Sequence, residues 1–138
     1  MAQSVEKTLG KVIAKNEAVS VAASGNTDLL EIIVDTINEL GVTILPTVQA
    51  FDAFLVLGKF HPDAAYVTLY SSAGAFTSPA GLVVDASGDL TTLAAAATGW
   101  VILDVRPLYA IKFQASAAAA GAATVSIYAM GRGFPVGT

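Results

Sequence analysis

Hydrophobic and polar residues alternate with a period of two in three runs near the C-terminus. These are Trp100-Val-Ile-Leu-Asp-Val-Arg106, Tyr109-Ala-Ile-Lys-Phe-Gln-Ala115 and Thr124-Val-Ser-Ile-Tyr-Ala-Met130. Such alternation turns one face of a β-strand toward a core and the other toward solvent or a partner. It predicts inward faces made of Val101, Leu103 and Val105, of Ile111, Phe113 and Ala115, and of Val125, Ile127 and Ala129. Pro107 stands between the first two runs, where a turn tolerates it. Ala117-Ala-Ala-Ala-Gly-Ala-Ala123 reads as the loop of a long hairpin.

Earlier in the chain the same pattern recurs in shorter form. Ala18-Val-Ser-Val-Ala-Ala23 alternates, and Ser24-Gly-Asn-Thr27 has turn composition. Asp28 to Leu40 fits two patterns. Leu29, Leu30, Ile33, Ile37 and Leu40 would line a helix, and Leu30, Ile32 and Val34 a strand; the β-branched Ile32-Ile-Val34 favours the strand. Val42-Thr-Ile-Leu45 is a strand stopped by Pro46. Gln49 to Phe60 is apolar except for Asp52 and Lys59, which predicts a central strand covered on both faces. Tyr66-Val-Thr-Leu-Tyr70 alternates with Val67 and Leu69 inward, and Leu82-Val-Val84 is a brief strand before the turn Ala86-Ser-Gly-Asp89. Ser71 to Gly81 is a small-residue loop anchored by Phe76, and Leu90 to Thr98 an alanine-rich connection.

About eight short strands separated by turn signals predict an all-β, antiparallel β-sandwich. The pattern is compatible with a jelly roll and with an immunoglobulin-like order. Residues 1–17 hold Lys7, Lys11 and Lys15 with scattered apolar positions, and read as an extended N-terminal arm. The sandwich domain is expected over 18–133. Gly131-Arg-Gly-Phe-Pro-Val-Gly-Thr138 reads as a flexible end, with 134–138 as a tail beyond the domain.

Composition narrows the function. The chain has 138 residues, enough for one domain with a real core, and no cysteine, so neither disulfides nor thiolate metal sites arise. Charged residues make up 13% of it against roughly 25% in an average soluble domain, while hydrophobic residues reach 54%. So few charges cover a monomer's surface poorly, which favours surface buried between subunits alongside a high alanine content. The net charge of −4 and the scattered basic residues disfavour a nucleic-acid partner. No apolar run approaches the ~18 residues of a membrane span, and the polar start Met1-Ala-Gln-Ser-Val-Glu-Lys lacks a signal-peptide core.

Candidate chemistry is sparse. His61, before Pro62, is the only histidine; no G-x-S-x-G elbow presents a serine to it, and one imidazole without thiols does not make a zinc site. Asp85-Ala-Ser-Gly-Asp89 resembles half a calcium loop but lacks the bidentate Glu; Asp28 and Asp63 lie near turns as further oxygen donors. Asp52 and Asp104, inside apolar strands, are the carboxylates that a raised pKa would single out; the simpler expectation is an outward or hydrogen-bonded position. Gly131-Arg-Gly133 is too short for a phosphate loop. Trp100, Tyr66, Tyr70, Tyr109 and Tyr128 are candidates for a sugar-stacking platform or for core pairs. No catalytic, cofactor or metal residue is assigned.

With its acidic, cysteine-free, Ala/Gly/Thr-rich composition, its lysine-bearing arm and the closing strands Tyr109–Ala115 and Thr124–Met130, the chain resembles the small β-sandwich structural proteins of tailed bacteriophages, head decoration (cement) proteins above all. The resemblance covers roughly residues 18 to 133. It implies a non-enzymatic virion protein, made in the host cytoplasm, that binds the major capsid protein or another virion protein. Such a protein stabilises the shell, often as a homo-oligomer and in particular a trimer. The rival expectations are a carbohydrate-binding β-sandwich module, a tail or neck protein of the same virion class, and a small enzyme built around His61 or paired aspartates.

Overall fold

The computed structural model describes residues 11–22, 25–46, 51–72, 82–87, 97–117 and 123–133. They form nine strands and, among the described residues, no helix: β1 Lys11–Val21, β2 Thr27–Ile33, β3 Glu39–Pro46, β4 Phe51–Lys59, β5 Val67–Ser72, β6 Val83–Ala86, β7 Gly99–Asp104, β8 Ala110–Ala117 and β9 Ala123–Arg132. Two antiparallel sheets pack together. One has the order β1-β9-β3-β7-β6, the other β2-β8-β4-β5. The chain is the β-sandwich that its alternation predicts.

The pairings reveal how the sandwich is wound. β1 pairs with β9, β2 with β8, β3 with β7 and β4 with β5, each antiparallel. Successive pairs fall in alternate sheets, as though one long two-stranded ribbon had been rolled up. That is the jelly-roll order, with β6 added as an edge beyond β7.

Inward residues of both sheets make one core. Leu40, Val42, Ile44, Val101, Leu103, Val125 and Ile127 from the five-stranded sheet meet Leu29, Phe54, Val56, Ile111 and Phe113 from the other. The Phe54 and Phe113 rings stack with centroids 5.9 Å apart. Each such side chain contributes roughly 1.5–3 kcal/mol on burial. The β2–β3 and β7–β8 connections cross side by side between the sheets, joined by Val105 N–H donating to Asn38 O at 3.0 Å. Their apolar residues Val34, Ile37, Val105 and Leu108 cap that end of the core.

Several boundaries differ from the sequence reading. The strand expected from Ala18 begins at Lys11, so Lys11 to Glu17 of the expected arm lie in the sheet; residues 1–10 lie outside the described residues. The stretch 28–40 is strand, not helix, but a turn over Val34–Ile37 divides it. Val67 is exposed rather than inward. The β4–β5 register shifts so that Val56 faces Tyr70 and Leu57 faces Thr68, leaving Leu69 as an extra residue. Tyr70 therefore turns into the core. β8 and β9 are not a hairpin: they belong to opposite sheets. In a sandwich both sheets have an apolar inner face, so alternation marks a strand's buried side without marking its partner. Arg132, within the expected flexible end, still pairs with Lys11 and Glu39. Phe76 with most of its loop, residues 90–96, Asp89, 118–122 and 134–138 lie outside the described residues.

Candidate functional site

The outer faces of the two sheets differ in kind. On the four-stranded sheet, polar side chains pair among themselves. Gln114 Nε2 donates to Asp28 Oδ1 at 2.6 Å, and Lys112 Nζ lies 3.9 Å from Asp28 Oδ2. Tyr66, carried in by the loop before β5, donates its hydroxyl to Glu31 Oε2 at 2.5 Å. Its ring lies under two ammonium groups, Lys112 at 4.5 Å and Lys59 at 5.4 Å from the centroid. Partial burial and the Glu31 carboxylate push the Tyr66 phenol well above its ordinary pKa, so it stays neutral. The polar groups of this face are thus engaged within the chain, while Ile33 and Val67 stay exposed beside them.

The outer face of the five-stranded sheet is open. Cross-strand register sets its residues in three rows across β1, β9, β3 and β7. The first is Lys11, Arg132, Glu39 and Asp104; the second Ile13, Met130, Gly41 and Ile102; the third Lys15, Tyr128, Thr43 and Trp100. The middle row is apolar, and Ile13 is 70% exposed and Met130 46%. Trp100 and Tyr128 in the third row are 39% and 37% exposed. They flank Thr43 two strand spacings apart, about 10 Å. Gly41 leaves a gap in the apolar row. A depression of ≈ 440 Å³ opens there beside Ile13, Thr43, Tyr128 and Met130, and a second of ≈ 230 Å³ lies toward Ile102 and Arg132.

Partners within the chain gather at the rim of this face. Arg106 grips Asp104 through Nη2 to Oδ2 at 2.6 Å and Nε to Oδ1 at 2.9 Å. That guanidinium holds the Asp104 carboxyl below the usual carboxylate value. Tyr128 donates to Glu17 Oε2 at 2.8 Å, and Lys15 Nζ lies 3.1 Å from Glu17 Oε1. The Tyr128 bond, and then Lys15, lower the Glu17 pKa, while the same bond to Glu17 raises that of Tyr128. Among the described residues no ion pair joins Arg132 or Glu39, although they stand directly opposite on β9 and β3.

The residues singled out for chemistry do not converge. His61 is exposed; its Nδ1 accepts from the Asp63 N–H at 3.1 Å, a bond local to its loop. Asp28 is engaged on the four-stranded sheet, Asp85 accepts from the neighbouring Ala86 N–H, and Asp104 holds Arg106. Asp104 is thus hydrogen-bonded at an outer position, as the simpler expectation has it. The Asp52 side chain and Asp89 lie outside what is described. Among the described residues no three acidic or imidazole side chains are placed to hold a metal. The five aromatics divide: Tyr70 is core, Tyr66 and Tyr109 border the four-stranded sheet, and only Trp100 and Tyr128 share a face. The exposed positions of β7, and of β9 as far as Met130, were visible in the sequence as the outer side of alternating strands, but Lys11, Ile13, Lys15 and Gly41 lie outside the strands it predicts. The assembly into rows was not visible, because register between distant strands leaves no local signal.

No family model matches the chain, and no curated protein does. Among solved structures it is similar to the SPBc2 prophage-derived protein YomS, at 13% identity and a TM-score of 0.48, over 87% of this chain and 94% of that one. It is also similar to a chain of infectious bursal disease virus, Gx strain, at 11% identity and a TM-score of 0.44. That match covers 94% of this chain and 34% of the viral one, so the present chain spans about a third of its length.

Proposed function

We propose that this chain is a structural protein of a virion, specifically a capsid decoration protein that attaches to a phage head and stabilises the shell. The observation that carries the reading is the uncovered outer face of the five-stranded sheet, with Ile13, Met130 and Ile102 in register, Trp100 in the next row, and no segment of the described chain over them. A surface of this kind on a chain with 13% charged residues is one that assembly removes from water. The jelly-roll winding supports the reading at the level of fold, since viral capsid domains use it. The work would be mechanical: each contact contributes roughly 25 cal/mol per Å² of apolar area removed from water, and repetition over a shell turns weak contacts into avid attachment. No catalytic step is assigned, and the partners are the major capsid protein and further copies of this chain.

The exposed pair Trp100 and Tyr128 favours a second reading, a glycan-binding module, because two aromatic faces on one open row suit sugar stacking. One experiment separates the two. Particles made without this chain are challenged with heat, before and after the purified full chain is added back. Stoichiometric rebinding and restored heat resistance support the decoration reading. Absence from purified particles, together with retention on a glycan array that Trp100→Ala abolishes, supports the module.

A further inference from the structure

We propose that the outer face of the five-stranded sheet binds a second copy of this chain about a two-fold axis running along the strands, between β9 and β3. The inference builds on the reading of that face as an assembly surface and names its occupant. It rests on the order of residues within the three rows.

A two-fold axis in that position lays β9 of one copy over β3 of the other, and β1 over β7. The charged row reads Lys11, Arg132, Glu39, Asp104: two cations, then two anions, with the axis between them. Each Arg132 then meets the other copy's Glu39, and each Lys11 approaches Asp104. The apolar row reads Ile13, Met130, Gly41, Ile102. Here Met130, the long side chain, meets Gly41, the position without one, and Ile13 meets Ile102. In the third row Lys15 lies over Trp100, a cation–π arrangement, and Tyr128 over Thr43. All three rows are complementary under one operation, as an isologous interface requires. A two-fold axis moved onto β9 would instead set Arg132 on Arg132 and Met130 on Met130.

The glycine agrees with this. A Cβ on Gly41 would find only the Met130 carbonyl oxygen, at 3.7 Å, so nothing within the chain demands glycine there. Gly58 and Gly131, by contrast, are crowded by their own core. Lys11, Arg132 and Glu39 are also without an ion pair among the described residues, whereas Asp104, the fourth charge of the first row, already holds Arg106. The four-stranded sheet has exposed apolar side chains of its own, Ile33 and Val67, but its outer charges Asp28, Glu31 and Lys112 are engaged within the chain around Tyr66.

The test is sedimentation equilibrium of the full chain over a concentration series, with circular dichroism to check folding. The wild type forms dimers. Arg132→Glu and Glu39→Arg each weaken the dimer about tenfold or more, because both symmetry-related contacts turn repulsive. Mixed in equal amounts, the two single variants pair with each other at wild-type strength, and the double variant recovers self-pairing. Gly41→Val, which fills the recess for Met130, weakens the dimer in a chain that still folds. A chain monomeric throughout, a trimer in place of the dimer, or single variants that do not rescue each other would overturn the proposal. Particle rebinding is scored separately. A monomer that rebinds heads sinks the two-fold pair and leaves the decoration reading standing; a dimer that rebinds none does the reverse.

Discussion

The side-chain amide of Asn16 donates to the carbonyl oxygen of Leu29 at 2.7 Å, and the two residues belong to different sheets. Asn16 stands where the β1–β9 register slips, between Asn16 and Val19, so the bulge aims its side chain across to β2. The bond staples the edge strand to the opposite layer. Asn16→Ala should lower unfolding stability by about 1–2 kcal/mol in urea titrations, mostly from the Leu29 carbonyl left without its donor.

β1 has a second consequence for truncation. Deleting residues 1–17 removes the β1 pairs from Lys11 to Asn16 together with the Asn16 bond. The shortened chain should therefore melt several degrees below the full chain, and ahead of any loss of particle binding. Of the arm expected over residues 1–17, Lys11 to Glu17 belong to the sheet. A melting curve superposable on the full chain's would contradict the role given to β1.

Ala18, inside the same bulge, has φ 55°, in the left-handed region where a Cβ is strained. Its N–H donates to Ser126 Oγ at 3.0 Å, and Ser126 is the buried polar residue of β9. The two substitutions should move stability in opposite directions. Ala18→Gly should add up to about 1 kcal/mol by relieving the strain. Ser126→Ala should cost about 1–3 kcal/mol by leaving the Ala18 N–H unsatisfied. Thermal melts of both variants check the pair.

Glycines at 131 and 41 lie on adjacent strands and should respond oppositely to a methyl group. On Gly131 the added Cβ collides with Ile37 Cδ1 and presses on the Glu39 carbonyl oxygen at 3.0 Å. Gly131→Ala should cost about 1–3 kcal/mol. Gly41→Ala meets nothing closer than 3.7 Å and should leave unfolding of the monomer unchanged or raise it by up to about 1 kcal/mol. Denaturant titrations at low protein concentration separate this from any effect on association.

Acid should expose the Asp104–Arg106 pair. Its hydrogen bonds from Arg106 depress the Asp104 pKa in the folded state. A depressed carboxylate adds stability wherever the unfolded chain's aspartate is ionised, and that contribution is lost as pH falls through the folded value. The loss therefore lies below about pH 4, the ordinary aspartate range. Asp104→Asn should be less stable than wild type at neutral pH, and the difference should shrink as pH drops through that window.

How much of this was legible in the sequence depends on the range of the interaction. The inward faces of the last three strands, from Val101 to Ala129, follow from alternation, because burying one side of a strand is a local demand. Val67 misled because the bulge at Leu69 shifts the phase, and a bulge depends on the partner strand. The hairpin expected between the last two strands is a crossing between sheets, which alternation does not distinguish from a hairpin. The outward residues Met130 and Ile102 were readable as the solvent side of a strand, whereas Ile13 fell in the expected arm, where no strand was read. Their alignment needs the β1–β9–β3–β7 register, set by pairings more than a hundred residues apart along the chain for β1 and β9.

Hydroxyl-radical footprinting tests the central claim, that the outer face of the five-stranded sheet is where this chain assembles. Met130 and Trp100 on that face and Phe60 and Tyr66 outside it supply oxidisable side chains of both kinds. Between dilute chain and concentrated or particle-bound chain, Met130, Trp100 and Tyr128 should become protected while Phe60 and Tyr66 keep their reactivity. Unchanged oxidation of Met130 and Trp100 in the assembled state, with protection at Tyr66 instead, would contradict the claim and move the assembly surface to the other sheet.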